Sequence, residues 1–224
     1  MLAPIVFLAR MPLDIAVPIL FMLNVMTCIW VSLRLGMNKF IVIPFFIFFG
    51  SMMNAVMGNI DGLLALGLLC PPWLGIIILM IKPQVGFPIA LFWVANELTK
   101  TGTMQQKVYR VALMLSPFIV LFVASTIMYG AWFLNSVDAI GKSWNTAPWP
   151  LGIPVGVWLI GAGIQKRDIS FALMAIPFVT PYLTIYTWSF SAMGAFIALS
   201  HLFTQVQYAM RKVSTKPRMK AVVE

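Results

Sequence analysis

The sequence predicts an all-α membrane protein, a polytopic helix bundle of about seven crossings plus a re-entrant or broken helix, with its C-terminus in the cytoplasm. Three observations lead there. The 224 residues are 61% hydrophobic and 9% charged, whereas soluble domains carry about 25% charged residues, too many for this chain to match. Apolar runs close to the length of a bilayer crossing, about 20 residues, recur along the chain. The basic residues fall mainly into alternate connections, as they do in membrane proteins. The net charge of +9 is therefore a matter of topology and gives no support to a nucleic-acid partner.

Taken in order, residues 15–33 form the first span, bounded by Asp14 and Arg34. Residues 40–57 form the second, preceded by Lys39. Residues 60–70 are apolar but too short to cross, and "PPW" stops them. Residues 74–95 are long enough for a span but carry Lys82, Pro83 and Gln84 within it. A polar loop with Lys100, Lys107 and Arg110 precedes the span at 111–133. Residues 135–150 are polar and turn-rich. Short spans follow at 151–164, ending on "QKRD", and at 169–181, closing on "TPY". The last runs over 184–204. Residues 1–204 thus form the transmembrane domain, and 205–224 form a basic cytoplasmic tail.

Orientation follows from the positive-inside rule. With 34–39, 96–110, 165–168 and 205–224 in the cytoplasm, that side holds twelve lysines and arginines. The outer side holds Arg10 and Lys142, and Lys82 is left within the membrane. This alternation requires residues 60–73 to be a re-entrant or broken element, and it puts the N-terminus outside. The expected location is the plasma membrane, multi-pass, with membrane lipids as surroundings.

Ionisable groups inside a membrane cost about 2.5–3.5 kcal/mol on insertion scales and are functional candidates by default. Asp61 is flanked by Gly58 and Gly62, which would allow close approach of backbone or substrate. It is either an outer-edge carboxylate in water, a cap on the helix that follows, or part of a polar site at the outer face. Lys82 lies about 12 Å into its span at 1.5 Å per residue. Pro83 removes a backbone donor there, so a broken helix lining a cavity is expected. The alternative is a lysine that snorkels beside a packing kink. A cation at that depth suits an anionic ligand such as a carrier phosphate. Tyr182, Tyr186 and Trp188 fit an interfacial aromatic belt or a platform for a sugar ring. Cys28 and Cys70 lie in apolar runs and read as small buried hydrophobes. His201 reads as an interfacial residue. No HExxH, CxxC, P-loop or GxSxG pattern occurs, so metalloprotease, redox, nucleotide-hydrolase and serine-hydrolase chemistries have no motif behind them. No cofactor is indicated, no metal ligands are assigned, and a divalent-metal requirement is left open.

The run "GNIDGLLALGLLCPPWLGIIILMIKPQVGFPIALFW" resembles the multi-spanning glycosyltransferases of the C superfamily. It is most similar to family 87, the polyprenyl-phosphate-mannose type. The shared elements are Gly58, Asn59 and Asp61, then an apolar helix, then Lys82 followed by Pro83. "WPLGIPVGVWL…KRD…PFVTPYLTIYTW" also looks like the C-terminal half of such proteins. The resemblance implies a polyprenyl-phosphate-linked sugar donor and an outer-face active site with an acidic general base. It implies Lys82 on the carrier phosphate, Asn59 and Gln84 in substrate binding, Tyr182 as a sugar platform, and Asp61 as the catalytic candidate or an acceptor or metal contact. That family's catalytic acid lies in the first outer loop, after an N-terminal span. Here "MLAPIVFLARMPLD" matches the region after that loop. The resemblance therefore implies a chain lacking that span and loop, truncated or inactive, in which Asp61 does not simply inherit the general-base role. Two other classes fit the same pattern: a small transporter or channel component, and a non-catalytic membrane subunit.

Overall fold

The computed structural model describes residues 10–48, 59–130, 145–181, 183 and 187–214. Among these there is no strand. Nine helices are described: α1 (Leu13–Arg34), α2 (Lys39–Phe48), α3 (Asp61–Leu64), α4 (Pro72–Leu79), α5 (Pro83–Thr99), α6 (Met104–Tyr129), α7 (Ile153–Lys166), α8 (Ile169–Val179) and α9 (Trp188–Ser214). Three helical stretches are long and apolar enough to cross a membrane: Leu13–Arg34, Met104–Tyr129 and Trp188–Met210.

The side chains are distributed as lipid solvation requires. On α1 the buried residues are Asn24, Cys28, Val31 and Ser32, a single stripe of small and polar residues at helical spacing. Its opposite faces expose Leu13, Ile15, Val17, Met22, Met26 and Trp30. Membrane helices pack through such stripes because lipid already solvates the large apolar groups. On α6 only Met114 is buried, so that helix forms an outer flank. The most enclosed element is α8, where Ala172, Leu173, Ala175 and Ile176 are fully buried. It packs against α9, α7 and α5. Gly194 allows the closest contact with α9, because a Cβ there would lie 2.7 Å from the Leu173 Cβ.

The run read as one span over 74–95 divides in two. α4 and α5 are antiparallel, and the chain reverses at 80–82. A Cβ at Gly86 would lie 2.7 Å from the Leu79 carbonyl carbon, and one at Gly75 would lie 2.6 Å from the Trp93 ring. The cause is local. Pro83 occupies the first position of α5, where a missing N–H costs nothing. Lys82 is driven into an extended conformation, φ −116° and ψ 92°, as a residue before proline tends to be. The proline therefore starts a new helix and does not kink an old one. Residues 61–69 are also interrupted: α3 tightens into a 3₁₀ turn over Ala65–Leu69, which ends at Cys70 and Pro71.

Candidate functional site: an ion pair between interrupted helices

The reversal before α5 brings Lys82 to the start of α3. Its ammonium forms an ion pair with Asp61 and donates to the Asn59 side-chain carbonyl at 3.4 Å. Asp61 is 2% exposed, whereas the Lys82 side chain retains 21%. Asp61 is therefore not an exposed edge carboxylate; it is the first residue of α3.

The depth of this pair is set by Asn24. Asn24 is 2% exposed, and its side-chain carbonyl accepts the Leu63 N–H at 3.3 Å. Its amide donates to the Leu20 carbonyl at 3.1 Å. Gly62 lies directly on the Asn24 backbone, where any Cβ would collide with the carbonyl oxygen. Asn24 is the middle of α1, about 15 Å from either end at 1.5 Å per residue. The pair is therefore level with the centre of α1.

An ion pair removed from water is kept only when its remaining hydrogen-bonding capacity is met. An ammonium carries three donors. Two are directed at Asp61 and Asn59, which leaves one for a further acceptor on the accessible side of Lys82. Of the residues the sequence assigns to the site, Asn59, Asp61 and Lys82 are brought together. Gln84 lies half-buried on the first turn of α5 and makes no hydrogen bond to the other three. Tyr182 and Gly58 lie outside the described residues.

Near the chain reversal that precedes α9, Asn145 and Thr146 are stitched to the segment after α8. The Leu183 carbonyl accepts from the Thr146 N–H at 2.8 Å, and the Asn145 side chain donates to the Pro181 carbonyl at 3.0 Å. Trp188 Nε1 donates to the exposed Thr146 hydroxyl at 2.9 Å. Cys28 is buried, Cys70 is half-buried, and neither is in a disulfide.

A second polar contact was not legible in the sequence. His201, on α9, places Nδ1 3.1 Å from Asp168 Oδ2. Asp168 also caps α8 by accepting the Ser170 N–H at 2.9 Å. Burial pushes the Asp168 carboxyl up, but the Ser170 and His201 hydrogen bonds outweigh it and hold its pKa below the ordinary value. An ionised carboxylate only accepts, so Nδ1 of His201 carries the proton. The cap itself had a signal, an aspartate just before the apolar run of α8. The partner is 33 residues away and had none. No group of three or more His, Cys, Asp or Glu side chains that could hold a metal ion occurs among the described residues.

The chain matches no family model, no curated protein and no solved structure.

Proposed function

We propose that the chain is a multi-pass, glycosyltransferase-like protein of the plasma membrane that engages a polyprenyl-phosphate-linked sugar donor through Lys82. The reading has about seven crossings, with 34–39, 96–110, 165–168 and the C-terminus on the cytoplasmic side. The joining of the 34–38 and 166–168 turns beside His201, at one end of the bundle, supports placing those two connections on the same side.

The observation that carries the ligand assignment is the ion pair itself. A lysine with one uncommitted donor lies where two helices are interrupted, beside a carboxylate that balances it. A carrier phosphate on the open side of Lys82 would compete with Asp61 for the ammonium. The acceptor hydroxyl would lose its proton to a carboxylate as the new glycosidic C–O bond forms; Asp61 does not inherit that role from the family's first-loop acid but is the candidate here because it lies beside the Lys82 ammonium. The bond from the anomeric carbon to the phosphate breaks, and Lys82 balances the charge left on the phosphate. Asn59 holds Lys82 between the two anions.

The test is sugar transfer from a polyprenyl-phosphate-linked donor in membranes carrying equal amounts of wild type, Lys82→Ala or Asp61→Asn. Loss of a general base or charge partner lowers the rate by about 10²–10⁴-fold. Transfer by Lys82→Ala at the wild-type rate would remove the assignment. One observation favours a second reading. A charge pair level with the middle of α1, at the ends of interrupted helices, is also how transporters build a site. Solute flux into proteoliposomes that vanishes in both variants, with no sugar transfer by wild type, would select that reading.

A further inference from the structure

The end of the bundle where α1 and α7 finish holds a second arrangement, remote from the ion pair. Arg34, Lys166, Arg167, Asp168, His201 and Gln205 line an open cleft of about 700 Å³. Its walls are fixed. Arg167 takes a left-handed backbone conformation, φ 53° and ψ 39°, uncommon for any residue but glycine. The Asp168 N–H reaches back to the Gly163 carbonyl at 3.0 Å and closes the turn. Gly36 has φ +97°, and a Cβ there would lie 2.5 Å from His201 Nε2. The Asn38 N–H donates to the Ser200 hydroxyl at 3.0 Å. The turn after α1 is thus pinned directly on α9. The turn after α7 is pinned through the Asp168–His201 contact.

The charge in this cleft is unbalanced. Asp168 is its one acidic lining residue, and Ser170 and His201 already occupy it. Arg34, Lys166 and Arg167 are exposed and make no ion pair among the described residues. Arg34 lies over the Trp30 ring at 5.8 Å, and Lys166 over the Phe171 ring at 4.7 Å. Exposed Trp30, Leu33, Leu202 and Phe203 continue from the cleft along α1 and α9. The positive-inside rule places cations on one side of a membrane, but it does not require residues from two separate turns to converge on one concave surface. A phosphate suits the cations, and acyl chains suit the apolar faces beside them.

We propose that this cleft binds the phosphate headgroup of an anionic phospholipid, with the acyl chains lying along α1 and α9. The proposal is independent of any reaction at Lys82. The experiment uses the full chain, purified and loaded with either phosphatidylglycerol or phosphatidylcholine, with lipid retention read by native mass spectrometry. Wild type should retain phosphatidylglycerol over phosphatidylcholine. At about fivefold per basic residue near the surface, Arg34→Gln with Arg167→Gln should weaken that retention roughly 25-fold. Arg34→Lys with Arg167→Lys should restore most of it, which separates charge from folding. Lys107→Gln removes a cation from the same side but outside the cleft, and should change retention little. Equal losses from the Lys107 and the paired arginine variants would overturn the site. So would equal retention of the two lipids by wild type. Thermal protection by inorganic phosphate equal to that by phosphatidylglycerol would overturn the lipid assignment and make free phosphate the occupant.

Discussion

Lys82 and Asp61 depend on one another, and that dependence can be measured. Removing one partner of a buried pair leaves an uncompensated charge and costs about 3–5 kcal/mol. Lys82→Met and Asp61→Asn should each lower thermal stability in detergent by that order. The double variant should cost clearly less than the two single losses together, because neither charge is then stranded. Additive losses would show that the two side chains do not interact. Gly62→Ala makes a second case. Its Cβ would meet the Asn24 backbone, which cannot swing away, so α3 must separate from α1 and stability must fall. Gly161→Ala has open space around it and should be neutral or slightly stabilising, since alanine favours a helix over glycine by about 1 kcal/mol. Asp168 gives a pH-dependent case. Its folded pKa lies below its ordinary value. Its contribution is therefore present above the unfolded carboxylate range and is lost as pH falls through the folded value. In Asp168→Asn the cap oxygen remains but the charge does not. The variant should be less stable than wild type at neutral pH, and the two unfolding curves should converge in acid.

At the scale of the element, α6 begins at Met104, inside the polar loop that the sequence places before a span at 111–133. Thr103 and Gln106 form a reciprocal capping box at the start of α6, with the Gln106 N–H donating to the Thr103 hydroxyl at 3.3 Å and the Thr103 N–H donating to Gln106 Oε1 at 3.1 Å. Thr103→Ala should cost about 1 kcal/mol, seen as a lower unfolding temperature with unchanged helical content. Hydropathy located α1, α7 and α8 better, and their ends lie within two residues of the apolar runs read from the chain. It failed at 74–95 because hydropathy records how much apolar surface a run has, not its direction. Pro83 was visible, but whether it kinks a helix or begins one depends on the backbone of Lys82, which is extended here while Asp61 and Asn59 receive its ammonium. Asn24 was missed for a related reason. One asparagine in an apolar run of 19 residues shows no pattern, and its role appears only once α3 is docked on it. The pairing of Asp168 with His201 likewise joins residues that no local periodicity connects.

Across the whole molecule, the prediction concerns sidedness. With Cys28 and Cys70 replaced by serine, single cysteines at Gln105 and at Ala147 should react with an impermeant thiol reagent from opposite sides of the membrane, Gln105 from the cytoplasm. Labelling of both from one side would refute the alternation of crossings. The division of labour within the bundle is also a property of the whole. α6 shows nearly all its surface to its surroundings, whereas α8 shows almost none. Substitution of large apolar residues by other large apolar residues should therefore be tolerated far better along α6 than along α8.

The ion pair joins residues only 21 positions apart, and that spacing bears on how the protein is made. A ribosome delivers Asp61 first and Lys82 shortly afterwards, within one compact α3–α4 hairpin. The acid and the base can thus pair early, and neither has to wait for a partner encoded far downstream. The two charges neutralise one another without any contribution from the later helices.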